Sequence, residues 1–478
     1  MHWNIKDTPL QETTAHLIDC LGVDAVVAQL LAQRGITTFE DAKAFFRPHI
    51  GQLHDPFLMK GMDKAVARLQ QAIDQKEAVM VYGDYDVDGT TSVSLLTHFL
   101  RSQDLDVTPY IPDRYAEGYG LSKKGIDTAK AANIKFMIAL DCGVKAIEQV
   151  AYAKTLGIEL IICDHHTPGD ALPDALAVLD PKRSDCAYPF KELCGCGVGF
   201  KLMQGLLQQQ GKEVNEVIAY LDFVAVAIAA DIVPMVGENR ALAFLGLQQL
   251  NTHPRPGLKA LMRDKPTGQI ISDVVFGMAP RINAAGRMKH GLDAVELLLS
   301  ASDEEAKKRA QEVETYNSSR REVEQDITKE ALAQIVANEE EKSAANVVYA
   351  PHWHKGVIGI VASRLIETYY RPTLVFTKSG EGVLAASARS VRGFDVYKAI
   401  DACRAHIIQF GGHKYAAGVT IKEESYEAFK AAFETQVAQT ITAAQKQQSL
   451  DIDVALPFAF ISPKLLRILK QMEPFGPE

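Results

Sequence analysis

The chain has 478 residues, enough for two or three domains, with 47% hydrophobic and 23% charged side chains and a net charge of −9. No apolar run approaches the roughly 18–20 residues that span a bilayer, and the start Met1-His-Trp-Asn-Ile-Lys-Asp lacks the basic and apolar regions of a signal peptide. The cytoplasm is therefore the expected compartment, and the acidic balance argues against indiscriminate nucleic-acid binding.

Residues 1–75 read as a helical extension, rich in Ala, Gln and Leu. From Ala78 short apolar runs alternate with helical spacing: "AVMVYG" (78–83), a helix over 90–100, "VTPYIP" (107–112), a helix near 122–132, "IKFMIALD" (134–141), a helix around 145–156, "IELIICD" (158–164) and "LAVLDP" (176–181). Near-continuous apolar strands separated by helices predict a parallel sheet covered on both faces, in a domain spanning residues 76–300 whose part from 197 to 262 is mostly helical. Residues 301–342 are polar, rich in helix formers and free of Pro and Gly, which predicts a long solvated connector helix. A second, smaller α/β domain is expected over 343–440, with strands at "ANVVYA", "PTLVFT" and "GVLAASA", and residues 441–478 begin a C-terminal segment. Between Pro351 and Ile421 nine Lys and Arg face four acids, a local +5 that leaves −14 for the rest. This pattern suggests an acidic metal-binding domain beside a basic, anion-binding one.

Ligands of open parallel sheets bind outside the carboxyl ends of the strands, and that is where the acids fall. Asp84, Asp86 and Asp88 in "VYGDYDVDGTTS" follow the first strand, Asp113-Arg114 the second, Asp141 ends the third and Asp164-His165-His166 the fourth. Asp231 closes a further apolar run, "FVAVAIAADIVP". A single Asp there is usually a helix cap or a turn residue. Several carboxylates and two adjacent imidazoles converging on one crevice need cations to offset their repulsion. Oxygen ligands with imidazole suit Mn²⁺ or Mg²⁺, with Mn²⁺ favoured by the His pair. Two such ions about 3.5–4 Å apart clamp a phosphate and make hydroxide from water, the chemistry of phosphoester hydrolysis. Cys194-Gly-Cys196, the only close pair among seven scattered cysteines, reads as structural, since no second pair completes a zinc site.

"DYDVDG", "ALDCG" and "ICDHH" resemble the DHH phosphoesterases. "PDRYAEGYGLS", "AADIVP", "PRINAAGRM", "WHKGVIGIVASRL", "SARS" and "GGHKYAAG" follow in the order of the branch that digests single-stranded DNA, from about residue 45 to the end. The resemblance implies metal ligands at Asp84, Asp86, Asp88, Asp141, His165, His166 and Asp231, with Asp141, His165 and His166 at the chemistry and Asp164 orienting an imidazole. It implies that Arg114, Ser387 and Arg389 bind a terminal 5′-phosphate and that Tyr119 stacks on a base. Gly411, Gly412 and His413 offer backbone NH groups and an imidazole to a phosphate, or serve close packing. Arg281, Asn283 and Arg287 are substrate contacts or interdomain hydrogen bonders.

The implied activity is a two-metal 5′-to-3′ exonuclease on single-stranded DNA that releases 5′-mononucleotides in recombination and repair, as a monomer beside single-strand-binding protein and a helicase. Relatives continue past "MEPFGPE" into an oligonucleotide-binding barrel, so either a fragment or a form without that barrel is expected. The rival readings are a phosphodiesterase of short oligoribonucleotides or nucleotide phosphates, a silent DNA-binding scaffold, and an inorganic pyrophosphatase.

Overall fold

The computed structural model describes residues 2–262, 265 and 267–477. It divides into two compact units, Gln11–Asn317 with the segment from Pro457 onward, and the residues up to Leu10 with Ser318–Leu456.

In the larger unit, β1 (Val79–Gly83), β2 (Val107–Tyr110), β3 (Phe136–Leu140), β4 (Glu159–Cys163) and β5 (Ala177–Leu179) form a wholly parallel sheet in the order β2-β1-β3-β4-β5. Successive strand residues point to opposite faces, and here both faces are apolar. Val79, Val81, Ile138 and Ile161 enter one core; Met80, Tyr82, Met137 and Ile162 enter the other. That is why the strands read as continuous hydrophobic runs. Helix α1 (Val87–Ser102) packs against α4 (Gly195–Gln209) and α5 (Leu221–Asp231) on the first face; α2 (Lys123–Ala131) and α3 (Ile147–Thr155) cover the second. Helix α1 is buried on nearly all sides despite its Thr and Ser, because their hydroxyls return to its own carbonyls: Thr91 Oγ1 to Val87 O at 2.6 Å, Ser94 Oγ to Thr90 O at 2.7 Å. The chain runs from β1 outward to β2, then crosses back to β3 on the other side of β1, which opens a crevice at the carboxyl ends of β1 and β3.

The expected parallel α/β architecture is the observed one, and its five strands lie where the apolar runs place them. The run before Asp231 is helix α5, in keeping with the mostly helical reading of 197–262, so this acid closes a helix where the others follow strands.

The smaller unit holds a mixed sheet of β6 (Asn346–Tyr349), β7 (Thr373–Gly380), β8 (Val383–Arg389), β9 (Gln409–His413) and β10 (Ala416–Lys422), ordered β9-β10-β8-β7-β6. Only β6 and β7 run parallel. The hairpin β9–β10 is not among the strands expected from the sequence. At Gly412 the chain adopts φ 143°, and a Cβ there would meet Ala416 O at 2.3 Å, so strand pairing at this point requires glycine. The polar connector is one helix, Asp303–Ala337, and the division between the units falls inside it.

Both terminal segments divide as well. His2–Ile5 pairs in parallel with Ser449–Ile452, so the first residues belong to the smaller unit, whereas residues 11–75 and those from Pro457 onward belong to the larger. Among the described residues no single helix is long and apolar enough to cross a membrane.

Candidate active site

The crevice at the ends of β1 and β3 gathers the acids. Asp84 ends β1 and is buried, with Oδ1 lacking a hydrogen-bond partner. Asp86 caps α1, accepting from Gly89 N at 3.0 Å. Asp88, in the first turn, accepts from Gly195 N at 2.6 Å and Cys196 N at 2.8 Å, the leading amides of α4. A carboxylate held by a helix N-terminus is fixed and electrostatically favoured. Asp141 sits just past β3 at φ 57°, in the left-handed region that Asp enters more readily than most residues.

His165 is the meeting point. Its Nε2 lies 3.2 Å from Asp141 Oδ1, 3.6 Å from Asp231 Oδ2 and 3.8 Å from Asp88 Oδ2. Asp141 Oδ1 is nevertheless without a hydrogen bond: the two atoms approach without donor geometry, as lone pairs aimed at a common point do. Two sets of ligand atoms, from Asp141, His165 and His166 and from Asp88, His165 and Asp231, each lie within 4.8 Å of one another. The electrostatics point the same way. Burial, then the charge of Asp86, push Asp88 up to about 7. Burial, with Asp88 and Asp86 beside it, pushes Asp231 up to about 8. Asp84 and Asp141 stand well above the ordinary carboxylate range, again from burial first and neighbouring carboxylates second. Burial, then His166, holds His165 down to about 3, so it is neutral with a lone pair free to coordinate. Carboxylates that cannot all ionise, beside a neutral imidazole, fit a divalent cation of the Mn²⁺ or Mg²⁺ class.

Around this core stands a supporting layer. Asp164 accepts from the backbone NH of Val144 at 2.8 Å and His165 at 2.8 Å, and meets His166 Nδ1 at 2.7 Å. It orients the imidazole as a carboxylate behind a metal-binding His does. Burial opposes charge on His166, but its bond to Asp164 outweighs that and raises it to about 9. Tyr119 is exposed, as base stacking needs, yet its hydroxyl also lies 3.1 Å from His166 Nε2, a contact that sequence reasoning did not foresee. Arg114 lies 4.0 Å over the Tyr85 ring, and its Nε is buried without a hydrogen-bond partner. The loop that carries both residues is pinned by Glu117, which takes Ser122 Oγ at 2.6 Å and Tyr110 OH at 3.0 Å.

Helix α7 (Ala279–Met288) packs on the acidic loop: a Cβ at Gly286 would stand 2.7 Å from Tyr85 O. It carries Asn283 and Arg287 there, and Arg287 O accepts from Tyr115 OH at 2.5 Å. Arg281, expected as a substrate contact or a hydrogen bonder, binds Glu314 at 2.8 Å and Gly277 O at 2.7 Å, the second of those roles.

In the smaller unit, Ser387 and Arg389 come together on β8 beside the first turn of Ile358–Thr368. A Cβ at Gly359 would meet Arg389 Nη2 at 3.0 Å and Ser387 Oγ at 3.1 Å. A helix N-terminus, a hydroxyl and a guanidinium around a bare glycine are groups that could cradle an anion. Gly411, Gly412 and His413 lie on strand β9, in register with Gly418, Ala417 and Ala416, and Gly412 serves the close packing of the hairpin.

Sequence reasoning missed two glycines. Gly359 floors the cradle. Gly195 leaves room for Asp141, whose Cβ and Oδ1 would lie 2.5 and 2.7 Å from an added methyl. The Cys-Gly-Cys stretch is thus structural, as expected, but its structure is that of the acidic site. A glycine reads as a turn signal until the partner that it makes room for is known.

The family model "DHH family, N-terminal domain" matches residues 78–228, and "DHHA1 domain" matches residues 341–439. The chain is similar to the single-stranded-DNA-specific exonuclease RecJ of Bacillus subtilis (strain 168), with 38% identity over all of this chain and 60% of the relative's length. With the enzyme of the same name in Salmonella typhimurium it shares 37% identity over 87% of this chain and 76% of the relative. The crystal structure of RecJ in complex with Mn²⁺ from Thermus thermophilus superposes with a TM-score of 0.87 at 29% identity, covering 99% of this chain and 68% of that one.

Proposed function

The chain belongs to the RecJ family of single-stranded-DNA-specific exonucleases, within the DHH phosphoesterases, and on that premise we propose that it hydrolyses single-stranded DNA from the 5′ end, releasing 5′-mononucleotides. Asp84, Asp86, Asp88, Asp141, His165, His166 and Asp231 would hold two divalent ions, Mn²⁺ or Mg²⁺. When bound, those ions supply charge to the phosphate oxygens and acidify a water. The observation that carries the reading is the 3.2 Å approach of His165 Nε2 to Asp141 Oδ1, which makes no hydrogen bond in a ring of buried carboxylates.

The remaining roles belong to the chain's own groups. Asp164 fixes the ring of His166. Arg114, with an unspent buried Nε, binds a phosphate of the strand without reading a base. Tyr119 offers its exposed ring to a base, a grip available only where the base is unpaired. Asn283 and Arg287, carried on a helix packed against the acidic loop, are further phosphate contacts. The cradle of Ser387, Arg389 and Gly359 receives the terminal 5′-phosphate, and His413 an adjacent one. In the cell the protein would work in the cytoplasm as a monomer, with single-strand-binding protein and a helicase, in recombination and repair. Every relative named above is named for single-stranded DNA, which speaks against the oligoribonucleotide reading.

Digestion of 5′- and 3′-labelled single strands, with Mn²⁺ and with EDTA, tests this. Labelled mononucleotide should leave the 5′ end first and only with metal. Release from the 3′ end, or preference for di- to pentaribonucleotides, overturns the proposal.

A further inference from the structure

Asp231 is the candidate ligand that closes the C-terminal end of a helix. It ends α5, and the next residue, Ile232, stands at φ 59° with an exposed side chain. A β-branched residue in the left-handed region is strained and persists only where its surroundings over-determine it. The surroundings do so through the loop 232–236. Asn239, fully buried, donates through Nδ2 to Pro234 O at 3.1 Å and to Glu192 O at 2.5 Å. On the loop's other side lies the C-terminal segment. Gly476 is pressed so closely on Met235 that a Cβ would meet Met235 Cβ at 2.5 Å and its N at 3.2 Å.

That segment is gripped by Arg240, one turn into α6 (Gly237–Thr252). The Arg240 guanidinium is buried 3.7 Å over the Phe45 ring and donates to Pro474 O at 2.8 Å, Met472 O at 3.0 Å, Glu473 O at 3.2 Å and Phe45 O at 3.0 Å. Among the described residues no carboxylate pairs with it. Its planar fork is spent on main-chain carbonyls of segments far apart in sequence, which is a brace rather than a charge pair.

We propose that Arg240 and the segment Met472–Gly476 form a brace that holds the loop 232–236 and so positions Asp231 for the divalent ion. Both are positioning elements, acting through the loop, and the C-terminal "MEPFG" is part of the metal site's architecture. The inference rests on Asp231 being a metal ligand, as proposed above. The measurement is Mn²⁺ binding to the full chain without DNA, by titration against the electron paramagnetic resonance signal of free Mn²⁺, with thermal unfolding in EDTA beside it. Arg240→Gln and Gly476→Ala should each weaken Mn²⁺ binding about tenfold, the range for residues that orient a ligand. Arg240→Lys should recover part of it, and kcat should fall with KM for DNA unchanged. If Arg240→Gln does not fold, the mild Gly476→Ala decides. Wild-type Mn²⁺ affinity in Gly476→Ala, whatever its unfolding temperature, overturns the brace. Asp231→Ala serves as control: unaltered Mn²⁺ binding there overturns the ligand assignment and the brace with it. Loss in Asp231→Ala but not in Gly476→Ala overturns the brace alone.

Discussion

Replacing Gly195 by Ala adds one methyl group at the point where two acidic loops meet. Its Cβ would lie 2.5 Å from Asp141 Cβ, 2.8 Å from Asp141 Cα and 2.7 Å from Asp141 Oδ1. Carbon atoms rest at about 3.5–4.0 Å, so Asp141 or the start of α4 must give way by about 1 Å. Asp141 has little freedom, being held at φ 57° with its NH on Cys163 O at 2.9 Å. Helix α4 cannot retreat without stretching the 2.6 and 2.8 Å bonds that its first amides make to Asp88. Either way a carboxylate leaves its place. A misplacement of about 1 Å at a reacting centre costs about 10²-fold in rate, while overpacking costs about 1–3 kcal/mol of stability. Single-turnover release of labelled nucleotide with saturating Mn²⁺, alongside urea unfolding, separates the two. Gly199→Ala, one turn further along the same helix, is the comparison, because its methyl meets only the Leu140 side-chain tip at 2.9 Å, and its rate should stay within about threefold. Near-normal turnover in Gly195→Ala, or equal losses in both variants, would refute the reasoning.

Asp164→Asn should weaken Mn²⁺ binding by about 10–100-fold through the unmoored His166, and calorimetric titration showing wild-type affinity would remove Asp164 from the site. Metal-free stability should fall as pH rises from about 4 to about 9. Asp88 (ordinarily 3.8, about 7 when folded), Asp231 (3.8, about 8) and His166 (6.5, about 9) all hold protons more tightly folded than unfolded. Each contribution is therefore full below the ordinary value and gone above the folded one. The gain in melting temperature from Mn²⁺ should grow over that interval and flatten in Asp231→Asn; a pH-independent gain contradicts the assignment. In the cradle, Arg389→Ala should erase the preference for a 5′-phosphate over a 5′-hydroxyl end, and Gly359→Val should do the same by filling the space; equal slowing on both ends means the pocket is misassigned. Tyr119→Ala should raise KM by about tenfold, as loss of a stacked base does, whereas Tyr119→Phe should keep KM and change only Mn²⁺ affinity; equal KM effects in the two would rule out stacking.

Much of this was legible in the chain. Continuous apolar runs ending in Asp, repeated at 84, 141 and 164, fixed a parallel sheet and the edge where its ligands gather, because period and strand length are local properties. The metal-ligand types were equally readable, since chemistry is carried by residue identity, whereas Ser387 and Arg389 were singled out only by what the family resemblance implies. Tertiary structure alone decided the rest. The clamp of Arg281 on Glu314 needs a helix 33 positions away. The demand for Gly195 comes from Asp141, and that for Gly359 from Ser387 and Arg389. The pairing of His2–Ile5 with Ser449–Ile452 joins segments 447 positions apart. Each is a contact between segments remote in sequence, and no local pattern encodes the atom that will arrive from elsewhere.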